Sequence, residues 1–101
     1  GFIHGTNPVH VVVEDVPSAI SISDWVTGYA LLGTNLTEEH MAYLSSVPKV
    51  IVALDKDATD KALQMVRKLN TVTSTDLLVL DHDLKSMGEI ERERLIREHT
   101  S

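Results

Sequence analysis

Cysteine is absent from this chain of 101 residues, which excludes disulfide frameworks, thiolate zinc sites and cysteine nucleophiles. No apolar run approaches the roughly 20 residues that a membrane-spanning helix needs, so we expect no membrane partner. Aromatic side chains make up only 4% of the residues, too few for a platform on which nucleic-acid bases stack. Trp25 and Tyr29 are therefore expected to be packing residues.

Positive charge is also scarce, with nine Lys and Arg residues against fifteen Asp and Glu residues and a net charge of -6. A domain that grips a nucleic-acid backbone unaided is normally basic, so that class is excluded for the chain alone. An acidic balance either solubilises a surface or gathers carboxylates at a cation site. The positions of the acidic residues have to decide between the two.

The length suits a single domain, because domains typically hold about 100 to 150 residues. We predict one domain over residues 1–101, with a core at about 9–87 and a charged C-terminal helix at about 87–99. No secretory signal is predicted, since the first residues show neither a basic segment nor a long apolar stretch. The chain begins without Met, and we expect it to be a piece of a longer protein.

Short apolar runs alternate with segments of helical periodicity along the chain. The runs are rich in Val, Ile and Leu and hardly alternate with polar residues, as is typical of strands buried on both faces of a parallel sheet. This order predicts an α/β fold with a four-stranded, mainly parallel sheet flanked by helices. The predicted strands cover residues 9–13, 28–32, 49–54 and 76–80.

The helices between these strands are predicted from caps and apolar spacing. Pro17 suits the first turn of one helix, and Thr37 suits the N-cap of the next. A third helix is predicted from Ala58 onward, where apolar residues recur every three or four positions. Glu and Arg residues three or four positions apart support an exposed C-terminal helix, expected to lead toward a neighbouring domain.

Acidic residues follow three of the four predicted strands. Glu14 and Asp15 follow the first strand, Asp55 and Asp57 the third, and Asp83 lies just after the fourth. Ligands of open parallel α/β sheets bind beyond the carboxyl ends of the strands. We therefore expect these carboxylates to lie at one edge of the sheet.

Two interpretations of this acidic edge stay open. Carboxylates that are brought together repel one another, and a hard cation such as Mg²⁺, held by one or two of them with waters and phosphate oxygens, relieves the repulsion. Asp55 and Asp57 would emerge on the same side of an extended chain, with Lys56 free to reach a phosphate. In the simpler interpretation Asp57 caps the next helix and Asp83 belongs to a solvated turn.

Three segments resemble, in order and spacing, the Toprim domain of DnaG-like and bacteriophage primases. They are VVVEDVPSA at 11–19, ALLGTNLTEEH at 30–40 and VIVALDKDATDKA at 50–62, and the similarity extends from about residue 9 to residue 87. The family carries a glutamate after its first strand and an Asp-x-Asp after its third. The chain departs from the family pattern at Asp15, Ser18 and Asp60, which stand where the family usually has Gly, Asp and a small residue.

The resemblance implies a Rossmann-like Toprim fold and a role for each matching residue. Glu14 matches the glutamate regarded as a general acid or base in nucleotidyl transfer or strand cleavage. Asp55 and Asp57 match the pair that binds Mg²⁺ or Mn²⁺, and Asp83 matches more loosely a further acid of primases. We assign Lys56 to phosphate binding.

The resemblance further implies a DNA primase nucleotidyltransferase that makes RNA primers for DNA replication. Its expected partners are nucleoside triphosphates, a single-stranded DNA template and RNA primer held by additional domains, and a replicative helicase. We expect it in the cytoplasm of a bacterial cell or of a phage-infected bacterium, and we expect the domain alone to be inactive.

Two alternatives share part of the pattern. A Toprim nuclease or a type IA topoisomerase-like enzyme would use the same acids for strand cleavage. A response-regulator-like receiver domain would be phosphorylated on Asp55, but it needs a fifth strand followed by a lysine, and no strand is predicted after Leu80.

Overall fold

The computed structural model of the chain describes residues 2–31, 36–80 and 84–100, without the side chains of Phe2 and Lys85. These residues form five strands and four α-helices. The strands are β1 (Phe2–His4), β2 (Val9–Val13), β3 (Thr27–Ala30), β4 (Lys49–Asp55) and β5 (Ser74–Leu80). The helices are α1 (Val16–Ser21), α2 (Glu38–Leu44), α3 (Thr59–Leu69) and α4 (Glu89–Thr100), and short 3-10 helices cover Lys56–Ala58 and Leu84–Ser86.

The strands form one sheet in the order β1-β3-β2-β4-β5. The last four in this order are parallel, and β1 pairs with β3 in the antiparallel direction. The predicted α/β class and mainly parallel sheet are confirmed, and the architecture is compatible with a Rossmann-like fold. The predicted strand number is wrong, since β1 adds a fifth strand: three residues are too few to show an apolar pattern.

Helices cover both faces of the sheet, and successive residues of the central strands supply the two cores. Val11 and Val13 point to the face that carries α1 and α4, whereas Val12 points to the face that carries α2 and α3. These three side chains are at most 1% exposed. Burial on both faces explains why β2 and β4 read as continuous apolar runs rather than alternating ones.

The predicted N-cap is found at α2, whereas α3 begins later than predicted. The Thr37 side chain accepts a hydrogen bond from the backbone N–H of His40 at 3.3 Å, and the Thr37 N–H donates to His40 Nδ1 at 3.1 Å. This reciprocal pair confirms the predicted N-cap. The chain passes through the 3-10 helix Lys56–Ala58 before α3 begins at Thr59, one residue later than predicted.

The C-terminal helix α4 packs on the sheet instead of standing apart from it. Ile96 is fully buried in the core under α1 and α4. Trp25 Nε1 donates to Glu93 Oε1 at 2.9 Å, and Arg92 donates to the carbonyl oxygens of Leu84 at 3.0 Å and Met87 at 2.9 Å. In the described part of the chain, no helix combines the length and the apolar character that crossing a membrane requires.

Gly28 sets how closely α1 approaches the sheet, and it supplies a test of this packing. A Cβ at this position would lie 2.3 Å from the carbonyl oxygen of Ala19 and 2.6 Å from its Cα. Both are backbone atoms, so Gly28→Ala must push α1 away from β3. We expect a loss of roughly 2–4 kcal/mol in the free energy of unfolding, measured by urea titration.

Gly88→Ala is the matched control, because nothing lies within 4 Å of the added Cβ. We expect a change below about 1 kcal/mol at this site, which precedes the first turn of α4. Equal stability of the Gly28→Ala variant and the natural chain would contradict the close contact between α1 and β3.

His10 joins β2 to α2 through both of its ring nitrogens. Its Nδ1 lies 3.2 Å from the Pro8 carbonyl oxygen, which only accepts, so Nδ1 carries the proton. In the neutral ring, Nε2 accepts the O–H of Tyr43, whose oxygen lies 2.8 Å away. Burial lowers the pKa of His10 below its ordinary value of 6.5, against a smaller opposing effect of the Pro8 carbonyl.

Because the pKa of His10 is lower in the folded chain, the unfolded chain binds more protons as the pH falls. The stabilisation is therefore complete above pH 6.5 and is lost as the pH falls below that value. We expect the free energy of unfolding to decline between pH 7 and pH 5 and to decline less in His10→Gln, which does not titrate. Identical pH profiles for the two proteins would contradict this assignment.

Candidate functional site

The sheet reverses its direction of growth between β2 and β4. From β2 the chain crosses to β3 on one side, and from β3 it crosses back to β4 on the other side of β2. Ligands of open α/β sheets bind at such a switch point, outside the carboxyl ends of the strands. Val12 pairs with Val52 in the parallel register, so β2 and β4 reach this edge together.

A cleft of about 230 Å³ opens at this switch point. Glu14 and Asp55, which follow Val13 and Leu54, both line it. Glu14 is exposed and Asp55 is half-buried. Two of the predicted site residues, 41 positions apart in the sequence, are thus brought to the same cleft. Its remaining lining consists of Val13, Asp15, Ser18, Ala53, Leu54, Leu80 and Leu84.

Asp15 lines the cleft but also performs a structural task. Its side chain accepts a hydrogen bond from the backbone N–H of Ser18 at 2.9 Å and so caps α1. Ser18 is itself buried in the cleft wall. The departures from the Toprim pattern at these two positions therefore have a local reason, because together they form the first turn of α1.

Asp57 and Lys56 lie in the turn between β4 and α3. Both are exposed, and neither lines the cleft. The argument from i and i+2 positions on an extended chain is wrong here, because the strand ends at Asp55 and the 3-10 helix begins at the next residue. Capping by Asp57 is also wrong, since the N-cap of α3 is Ala58, without a side-chain hydrogen bond.

Asp83, the third predicted metal ligand, lies outside the described residues, as do His82 and the Gly33, Thr34 and Asn35 of the primase-like segment. Across residues 2–31, 36–80 and 84–100, no group of three or more His, Cys, Asp or Glu residues is placed to hold a metal ion. Besides Asp15, whose side chain caps α1, the described part of the site offers the carboxylates of Glu14 and Asp55 at the cleft.

This donor set fits Mg²⁺ or Mn²⁺ better than a dedicated zinc centre. Mg²⁺ is typically held by one or two carboxylates, keeps several waters and completes its shell with phosphate oxygens. Structural zinc sites require four protein ligands, usually thiolates or imidazoles. Glu14 and Asp55 are therefore the residues that would hold a hydrated divalent cation at the cleft, with positions left open for a substrate.

The hydrophobic wall of the cleft was not predicted from the sequence. Leu84 is fully buried, lines the cleft and belongs to the core under α1 and α4. Its carbonyl oxygen accepts the hydrogen bond from Arg92, so α4 fixes one side of the cleft. The burial of a single Leu in a short 3-10 helix cannot be predicted from a periodic pattern. An Asp two residues before a Pro, as at Asp15 and Pro17, is by contrast a recognisable signal for the start of a helix.

Comparison of the chain with protein-family models, with curated proteins and with solved structures yields no match. The assignment of a function therefore depends on the residues and their geometry.

A titration with Mn²⁺ tests the cleft as a cation site. A paramagnetic ion held by Glu14 and Asp55 should broaden the amide signals of Val13 and Leu54 well before that of His10, which lies at the opposite end of β2. We expect Asp55→Asn to weaken the binding at least about tenfold, because one of two charged ligands is lost. Two-dimensional NMR measures both effects.

Glu98→Gln removes an exposed carboxylate of α4 that does not line the cleft, and it serves as the charge-matched control. It should leave the Mn²⁺ affinity unchanged. Broadening that is uniform over the chain, or equal binding by the Asp55→Asn variant, would reject the cation site.

Proposed function

We propose that this chain is the catalytic Toprim domain of a DNA primase, which joins ribonucleotides with the help of Mg²⁺ or Mn²⁺. The observation that supports the proposal is the common cleft of Glu14 and Asp55 at the switch point between β2 and β4. The two residues match the family glutamate and the first aspartate of its Asp-x-Asp. A four-stranded parallel core, β3-β2-β4-β5, carries both of them.

Glu14 is the candidate general base. Its carboxylate is exposed at the cleft, where it can accept the proton of an attacking 3'-hydroxyl or orient a water molecule. Asp55, half-buried in the same cleft, would hold a divalent cation. When bound, the cation would stabilise the charge that develops on the transferred phosphoryl group.

Asp57 and Lys56 extend the site outward along the turn after β4. Both side chains are exposed and neither makes an ion pair among residues 2–31, 36–80 and 84–100. In this proposal Asp57 binds the cation through water or after the turn adjusts to substrate, and Lys56 contacts a phosphate oxygen. Asp83 remains the candidate for a further metal ligand.

The size and charge of the cleft limit what the domain does alone. Pockets that enclose a whole small ligand usually measure about 300 to 1,000 Å³, whereas this cleft measures about 230 Å³. It suits the phosphates of a nucleotide rather than the base, and no Lys or Arg is among its lining residues. Additional domains are then needed to hold the template and primer, with a replicative helicase as a further partner.

A receiver domain would also use an acidic cleft at this position, and it is therefore the second candidate function. It also requires a fifth parallel strand with a lysine beyond β5. Within the described range 84–100 the chain forms a 3-10 helix and α4, and β1 joins the opposite end of the sheet in the antiparallel direction. A receiver would gain the mass of one phosphoryl group on Asp55 when incubated with a small phosphodonor.

Strand cleavage by a topoisomerase-like mechanism would require a tyrosine near the cleft. Tyr29 lies in the core and is only 3% exposed. Tyr43 forms a hydrogen bond with His10, which lies near the start of β2, at the end of the strand opposite the cleft. Neither tyrosine is among the residues that line the cleft. Cleavage through a tyrosine would therefore need a nucleophile from outside the described chain.

Primer synthesis by a protein that contains this domain together with its template-binding domains tests the proposal. We expect Glu14→Gln to reduce the rate of dinucleotide formation by about 10²- to 10⁴-fold, the contribution of a general base, while Mn²⁺ binding stays detectable. Asp55→Asn should reduce both the rate and the metal affinity.

Glu98→Gln is the control on α4 and should leave the rate unchanged. Full primer synthesis by the Glu14→Gln variant would overturn the proposal. Phosphorylation of Asp55 in a protein without nucleotidyl transfer would favour the receiver domain.

A further inference from the structure

The strand β5 forms an open end of the sheet. It is seven residues long and pairs with β4 alone among the described strands. Edge strands are normally protected by Pro, Lys or bulges, because their free backbone groups can pair with another strand. β5 contains neither Pro nor Lys, and its single charged residue, Asp76, is paired with Lys49 at 3.3 Å.

Exposed apolar side chains lie near β5 on the face of the sheet that carries α3. Val79 is 44% exposed, and it shares a face with Leu77, which packs in the core under α2 and α3. Lys68 Nζ donates to the Leu36 carbonyl oxygen at 3.4 Å, so this flank of α3 faces the segment leading into α2. Leu63, 39% exposed, lies roughly 140° from Lys68 around the helix, on the flank toward β5.

The charges on the exposed surface of α3 are self-complementary. Asp60 precedes Leu63 by three residues, and Arg67 follows it by four. Both are exposed, and neither forms an ion pair among residues 2–31, 36–80 and 84–100. Two copies of α3 that lie side by side in opposite directions place each Asp60 across from the Arg67 of the other copy.

One two-fold axis satisfies the strand and the helix together. The midpoint of β5 is Leu77, and the midpoint of α3 is Gln64. Because β4 and β5 are parallel, the connecting helix α3 runs opposite to both, and it packs on both. Pairing of the strands and the helices about one axis requires the centre of the Asp60 and Arg67 pair, between residues 63 and 64, to lie close to the axis through the middle of β5.

We propose that a second copy of this chain docks on β5 and α3 about this axis. The two β5 strands then pair antiparallel and join both sheets into one of ten strands. Leu77 lies beside its own counterpart, and Val79 lies beside Thr75 of the second copy, as side chains of adjacent strands do. Such an interface is isologous, so it closes as a dimer instead of growing into a filament.

Self-association of the chain as it exists tests the proposal first. Sedimentation equilibrium should show a monomer and a dimer in a concentration-dependent equilibrium. Val79→Lys places a charge on each side of the edge-to-edge pairing, and we expect it to weaken dimerisation at least about tenfold. Ile90→Lys is the matched control, because Ile90 is 87% exposed on α4, which packs on the face of the sheet opposite to α3; it should not change the equilibrium.

A charge exchange on α3 tests the orientation of the two copies. Arg67→Glu and Asp60→Lys should each weaken dimerisation at least about tenfold by opposing like charges. The double variant should restore it, and so should a mixture of the two single variants. Circular dichroism checks that each variant keeps its fold.

Three outcomes overturn the proposal. The first is a chain that stays monomeric up to about 1 mM, the limit of weak association. The second is a dimer whose affinity is unaffected by Val79→Lys. The third is failure of the double charge exchange to restore an affinity that the single variants lose. Metal binding at the cleft is measured separately and does not depend on these results.

Discussion

The parallel pairing of β2 with β4 is the constraint on which the rest of the structure depends. Both strands are apolar on both faces, and their central side chains are almost completely buried. Alternation of polar and apolar residues therefore does not fix their register. The charged residues at the strand ends do so, because burying Glu14 or Asp55 without a partner would cost several kcal/mol. The same cost drives both carboxylates to one edge.

The acidic edge is thus a consequence of the apolar core. Strands that are buried along their whole length must end in polar residues, and the parallel direction collects those ends on one side. Asp15 adds a third carboxylate to the cleft, but its hydrogen bond to the Ser18 N–H ties it to α1. The partial positive charge of a helix start favours an aspartate there. Glu14 and Asp55 are left as the carboxylates best placed for a cation.

The elements that were predictable from the sequence are those with long patterns or local chemistry. The strands β2, β4 and β5 and the N-cap at Thr37 follow from apolar runs and from a side chain that satisfies a nearby backbone N–H. The short strand β1 was not predictable, because three residues carry no period and its stability comes from pairing with β3. The pair of His10 and Tyr43, 33 positions apart, likewise depends on tertiary packing.

Only those residues of the candidate site that directly follow a strand could be placed from the sequence. The common direction of the strands puts Glu14 and Asp55 at one edge of the sheet, and the pairing of β2 with β4 puts them in one cleft. The position of Asp57 depends on how the chain leaves β4, and the 3-10 helix Lys56–Ala58 turns it away from the cleft. A pattern of two aspartates cannot distinguish an extended exit from a turn, since both are common before a helix. Local backbone geometry therefore decides how many of the predicted ligands share one cleft.

The position of β5 relative to the cleft determines whether the clefts stay accessible in a dimer. The cleft lies at the carboxyl ends of the strands, whereas β5 exposes its length at the side of the sheet. Pairing through β5 would leave both clefts uncovered. Because antiparallel pairing reverses the strand direction, the two acidic edges would face opposite ways and their like charges would stay far apart. An acidic domain with a net charge of -6 can associate through such a surface without bringing its carboxylates together.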